Sequence, residues 1–180
     1  MKNLLKRCGE LSQQPFTLVA VEQDDEPLIY VNQAFRDLVL YENDEILGKN
    51  CRFLQGPLTN KEAVKRIHIA IQTREPVCED ILNYRKDGST FWNRLVLLPI
   101  KVENEFYYFG MQHDVTEKKK TDREPSAQKV HPNDIADWIR NRLVSVILHL
   151  DMLEKKPSEY LLEKIAEALN RISEYVLSLP

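Results

Sequence analysis

Four residues, Lys86-Asp-Gly-Ser89, limit the fold of this chain more than any other short stretch. An Asp-Gly pair accepts the positive φ angles of a tight hairpin turn, so the segments on either side are predicted to pair as antiparallel strands, roughly Val77 to Arg85 and Thr90 to Lys101. A third strand, Glu105 to Val115, follows across the weaker turn Val102-Glu-Asn-Glu105. Upstream, Phe16 to Val21 is apolar and β-branched, Gln23-Asp-Asp-Glu-Pro27 is a polar turn, and Leu28 to Val31 is a second short strand. Asn32 is a helix N-cap ahead of Phe35, Leu38 and Val39. Asn43-Asp-Glu-Ile-Leu-Gly48 is a single capped turn closed by glycine, and Asn60 opens a longer helix to about Thr73 with Val64, Ile67 and Ile71 on its buried stripe. The order of elements predicts an α+β domain, a five-stranded antiparallel sheet with helices packed on one face.

On either side of this unit the pattern changes. Residues 1–14 read as a short amphipathic cap helix carrying Leu4, Leu5, Cys8 and Leu11, ended by Pro15. Residues 118–131 are charged, contain Pro125 and are nearly devoid of apolar side chains, so they read as a linker. Within 132–180, Ile139, Leu143, Val146, Leu150 and Leu153 alternate in steps of four and three, and Leu162, Ile165, Leu169, Ile172, Val176 and Leu179 do so again after Lys155-Lys-Pro-Ser158. Two such seams are poorly buried in a lone hairpin, so a homodimer held by a four-helix bundle is expected.

Composition narrows the function. Apolar residues are 43% and charged residues 29% of the chain, a globular balance, and the net charge of −3 gives no basic face for nucleic acid. No segment approaches the roughly twenty apolar residues of a membrane span, and the N-terminus lacks a signal-peptide pattern, so the expected location is cytoplasmic with no membrane partner. Cys8, Cys51 and Cys78 match neither a disulfide framework nor a metal site. Cys8 and Cys78 read as small apolar packing groups, and Trp92 as sheet packing.

Cys51 differs because it follows a Gly-Lys-Asn turn, opens a predicted short helix and precedes Arg52, a side chain suited to phosphate. On these grounds alone, a small buried hydrophobe is the commoner meaning of such a cysteine. The surrounding run, Gly48-Lys-Asn-Cys-Arg-Phe-Leu-Gln-Gly-Pro57, resembles the signature of the light-oxygen-voltage (LOV) domains, a branch of the PAS sensor fold. The resemblance spans Phe16 to Glu117 and continues through Ile81-Leu-Asn-Tyr84, Asp87-Gly88, Phe91-Trp-Asn93, Pro99 and Tyr108-Phe-Gly-Met-Gln112.

That resemblance implies a flavin-binding blue-light receptor in which Cys51 adds reversibly through sulfur to flavin C4a. It implies that Asn83 and Asn93 hydrogen-bond the pyrimidine edge of the ring, that Asn50 and Gln55 add polar contacts, and that Gln112 faces N5 and reports its protonation to the last strand. Arg52 takes one phosphate-binding position. The second, usually arginine, falls on His68, with Lys65 one turn earlier as a substitute. The expected cofactor is FMN, with riboflavin and FAD ranked below it.

The helices of 132–180 resemble, more faintly, the dimerisation and phosphotransfer hairpin of sensor histidine kinases, through Asp137-Trp-Ile-Arg-Asn-Arg-Leu143 and Arg171-Ile172. Asp137 occupies the place of the phosphoacceptor histidine, His131 and His149 fall elsewhere, and the sequence to Pro180 holds no ATP-binding domain. The expectation is therefore a non-enzymatic sensor signalling to a separate kinase, response regulator or transcription factor. Three readings compete with it: the sensor fragment of a light-regulated histidine kinase, a PAS protein that senses redox state through a noncovalent flavin, and a dimer scaffold whose pocket is empty.

Overall fold

A computed structural model of the chain describes residues 14–102 and 105–121. The predicted cap helix at 1–14, apart from Gln14, and the helical hairpin at 132–180 lie outside the described residues, as does residue 122 onward of the linker. Five strands form one sheet: β1 (Phe16–Ala20), β2 (Leu28–Val31), β3 (Val77–Tyr84), β4 (Thr90–Val102) and β5 (Glu105–Asp114). Their spatial order is β2-β1-β5-β4-β3. Every pairing is antiparallel, so the first and last strands in sequence lie side by side at the centre of the sheet. At the predicted hairpin, Gly88 adopts φ +83° and its N–H donates to Arg85 O at 3.0 Å, the conformation that only glycine takes without strain.

Helices α1 (Gln33–Val39), α2 (Asn43–Ile46) and α3 (Lys61–Thr73) and a 3₁₀ turn at Cys51–Leu54 occupy the connection between β2 and β3. Each begins where local chemistry supplies a partner for its free N–H groups. Asn32 Oδ1 accepts from Phe35 N at 3.0 Å, and Asn60 Oδ1 accepts from Glu62 N at 2.8 Å and Ala63 N at 3.2 Å. In α2 the cap is Glu42, one residue before the expected start, and its N–H donates to Glu45 Oε2 at 2.9 Å. Strand alternation then divides the sheet. Val19, Phe91, Leu97 and Tyr108 face the helices and form the core with Phe35, Val39, Ile46 and Leu54. The opposite face carries Phe16, Val96, Phe109 and Met111, with the Phe16 and Phe109 ring centroids 5.3 Å apart.

The sequence leaves open whether the linker is helical; its first residues, 118–121, lie in a short helix, α4 (Thr116–Thr121). No apolar stripe announces it; tertiary contacts supply its support. Thr116 Oγ1 accepts from Trp92 N at 2.9 Å, and Lys119 Nζ lies 2.7 Å from Asp80 Oδ2 and 5.2 Å from the Trp92 ring centroid. Asp80 also receives Arg94 Nε at 2.8 Å and Nη2 at 3.1 Å. Burial alone would raise the Asp80 carboxyl, but Arg94 and Lys119 together hold it below its ordinary value.

His113 lies in register with Arg94 and is 3% exposed. Burial, reinforced by the Arg94 charge, lowers its pKa from 6.5 to about 4. A base whose folded pKa is depressed contributes full stability above the unfolded value and loses it as pH falls through the folded one. The window is therefore pH 6.5 down to about 4, over which this one group removes on the order of 3 kcal/mol. His113→Gln is expected to flatten the fall in urea midpoint between pH 7.5 and pH 5. An unchanged slope would show that acid sensitivity originates at another group.

Candidate functional site

Between the helix-facing side of the sheet and α3 lies a cavity of about 720 Å³, measured to its open mouth. Its walls are apolar, with Phe35, Ile67, Ile71, Leu95 and Leu97 among the lining residues, and a few polar groups are set into them. Seven of the residues singled out from sequence line it: Asn50, Cys51, Arg52, Gln55, Asn83, Asn93 and Gln112. Lys65 and His68 do not. Both are exposed, because the rotation of α3 that turns Ile67 and Ile71 inward leaves them outside the lining. Thr17, Glu26 and Tyr108 line the cavity without having been named as site residues. Strand alternation offered a signal for Thr17, whose neighbours Phe16 and Leu18 are apolar while it alone on that strand carries a hydroxyl.

Several local contacts fix the Cys51 turn. Edge strand β2 holds its approach, with Leu28 N donating to Lys49 O and Gly48 N to Leu28 O, both at 2.9 Å. Asn50 caps the turn through Oδ1, which accepts from Arg52 N at 2.9 Å, and its Nδ2 donates to Asp25 O at 2.7 Å. Asn83 Nδ2 donates to Leu54 O at 3.3 Å at the far end. Thr59 Oγ1 then donates to Leu82 O at 2.7 Å, strapping the following segment to β3. The thiol is thus positioned from both sides by backbone-directed hydrogen bonds.

Burial pushes the Cys51 thiol up to about 12, so near neutrality it is held as the thiol. The favourable field expected at the start of the short turn is outweighed by desolvation of the sulfur. Cys51 is therefore inert as a ground-state nucleophile and needs a proton acceptor in the cavity. In darkness, alkylation of Cys51 by iodoacetamide at pH 7.5 is expected to be on the order of 100-fold slower than in the urea-unfolded chain. Equal rates, followed by peptide mass spectrometry, would remove this account.

The polar groups of the wall are incompletely paired. Asn93 Nδ2 donates to Asn83 Oδ1 at 2.9 Å, and Gln112 Nε2 donates to Thr17 Oγ1 at 3.2 Å. Asn93 Oδ1 and Gln112 Oε1, both in residues 2% exposed, have no hydrogen-bond partner. An orphaned buried acceptor costs about 1–3 kcal/mol, so two on one cavity wall call for a ligand that brings donors. Gly110 leaves room beside Gln112 and Thr17: a Cβ there would meet Thr17 Oγ1 at 2.6 Å and Gln112 Nε2 at 3.1 Å. A planar heterocycle with N–H and carbonyl groups on one edge fits this wall, and a flavin is such a ring.

Comparison with known proteins agrees with this geometry. Residues 15–117 match the PAS domain family. A blue-light-activated histidine kinase of Brucella anthropi is 49% identical over 109 residues, 59% of this chain and 22% of that protein. Blue-light-activated histidine kinase 1 of Erythrobacter litoralis is 35% identical over 176 residues, 91% of this chain and 48% of that protein. The solved LOV domain of a blue-light activated histidine kinase from Erythrobacter litoralis superimposes with a TM-score of 0.55 at 45% identity, covering 57% of this chain and 96% of that one. The chain spans less than half the length of these two curated relatives. Its sheet order, its cavity and these matches show that the chain belongs to the PAS family and that residues 15–117 are a LOV domain.

Proposed function

We propose that the chain is a blue-light photoreceptor that binds FMN in this cavity and signals by reversible attachment of Cys51 to the flavin. The observation that carries the reading is the orphaned buried acceptor Asn93 Oδ1, which suits the single N–H of a flavin edge, in a cavity that also holds a thiol and a second orphan, Gln112 Oε1, able to accept from N5 once that nitrogen gains a proton. A bound flavin supplies blue-light absorption, a ring carbon open to sulfur and an adjacent nitrogen able to take a proton. Cys51 gives up its proton and contributes its sulfur only after excitation, because burial keeps it a thiol in darkness. Asn83 and Asn93 orient the ring edge, and Arg52 stands in the lining on the Cys51 turn. Gln112 senses the new proton by turning its amide, which changes its bond to Thr17 and hence the pairing of β5 with β1.

Output runs from β5 into α4 and onward to residues 132–180, which we read as a dimerising hairpin derived from a histidine kinase and acting on a separate signalling partner. The 176-residue alignment to the Erythrobacter kinase is too long to stop at residue 117 and supports that ancestry. The same alignment favours a second reading, in which the chain is the sensory part of a working kinase. Among the described residues no helix is long and apolar enough to cross a membrane. The light-minus-dark absorbance spectrum tests the central reading. A yellow protein should bleach under blue light and recover in darkness; a colourless preparation that refuses added flavin would end it.

A further inference from the structure

We propose that the cavity mouth recognises the body of the flavin and gains little from its phosphate, with Asp25 as the residue that sets this tolerance. The inference rests on the flavin reading above and concerns which flavins the site accepts. Among the residues lining the cavity Arg52 is the one cation, and its guanidinium is already ion-paired with the Asp25 carboxylate. Asn50, the other polar side chain at that end, donates to the Asp25 carbonyl at 2.7 Å. Glu26 adds a second carboxylate to the lining. The one lining cation is therefore already matched by the Asp25 carboxylate beside the lining, with Glu26 in the lining next to it, while Lys65 and His68 stand outside.

The backbone holds these carboxylates in place. Asp25 and Glu26 adopt φ +66° and +49°, the left-handed region that favours glycine or asparagine, and neither is a helix cap. Bonds from Glu26 N to Gln23 O at 3.1 Å and from Ala20 N to Pro27 O at 3.0 Å close the turn around them. Strain of this kind persists where surrounding structure over-determines it, and here it fixes an acidic turn against the only cation of the mouth. A phosphate monoester carries about −1.5 to −2 at pH 7 and would have to share Arg52 with Asp25. The exposed Arg52–Asp25 pair exchanges partners at little cost, yet the carboxylate stays beside the incoming anion. A neutral ribityl end meets no such opposition.

Titration of the flavin-free full chain with riboflavin and with FMN, at pH 7.5 and low salt by flavin fluorescence quenching, tests this. The two dissociation constants should agree within about tenfold. Asp25→Asn, which keeps a side chain tolerant of the left-handed turn, should tighten FMN roughly five- to tenfold and move riboflavin less than twofold. Glu26→Gln should act in the same direction. FMN binding more than about 100-fold tighter than riboflavin in the unmodified chain would overturn the proposal alone, as would an equal shift of both flavins in Asp25→Asn. Failure of both flavins to bind would overturn it together with the flavin reading beneath it.

Discussion

Replacing Cys51 by alanine is expected to abolish blue-light bleaching while leaving the dark absorption spectrum and flavin binding in place. The prediction follows from geometry and proton accounting. Cys51 is the one thiol lining the cavity, and Cys78 lies on β3 paired with Val96, on the face of the sheet turned away from it. Without the sulfur no other lining residue offers a comparable nucleophile. The turn itself should survive, because its hydrogen bonds come from Asn50, Asn83 and backbone groups and none from the thiol. Removing one small half-buried group costs about 1 kcal/mol or less in such a place. Cys51→Ser separates size from chemistry, since its hydroxyl nearly fills the space and should also fail to bleach. If Cys51→Ala bleached and recovered with the spectrum of the unmodified chain, the noncovalent redox reading would replace the covalent one.

Asn32→Ala should produce a large loss of stability for a substitution of one uncharged polar side chain. Asn32 is 1% exposed, and its Oδ1 accepts from both Phe16 N and Phe35 N at 3.0 Å while its Nδ2 donates to Gln14 O at 2.7 Å. One side chain thus caps α1 and fastens β1, the strand that brings Thr17 to the cavity floor. Alanine removes the cap, worth about 1 kcal/mol, and strands a second buried donor at a further 1–3 kcal/mol. A total near 3 kcal/mol should appear as a lower urea midpoint with an unaltered slope. The adjacent Gln33→Ala, on the exposed side of α1, should shift stability by less than about 0.5 kcal/mol. Similar losses for the two would show that the Asn32 network carries no special weight.

Most of the sheet was legible because its signals are local. The Asp87-Gly88 turn, the caps at Asn32 and Asn60 and the stripe of Ile67 and Ile71 each depend on residues within one turn of the chain. The polar wall was legible through a resemblance that carried Asn83, Asn93 and Gln112 together. What escaped depends on contacts between distant segments. Helix α4 has no apolar period and is held by Asp80 and Trp92, more than twenty residues away. Asp25 looked like an ordinary turn residue, since its link to Arg52 spans 27 positions. The placement of His68 and Lys65 depends on the rotation of α3 about its axis, which the packing of Ile67 and Ile71 sets and alignment alone does not.

The clasp between α4 and the sheet has a consequence for how such a chain responds to its surroundings. Asp80 and Arg94 have side chains 18% and 7% exposed, but Lys119 is 40% exposed, so the outer half of the clasp is open to counterions and the inner half is shielded. With a screening length near 8 Å at physiological ionic strength and about 3 Å in molar salt, concentrated electrolyte weakens the grip on the helix first. The Asp80–Arg94 pair and the cavity on the other face of the sheet are spared. On the proposed reading, brine should therefore uncouple the receptor from its output without blinding it.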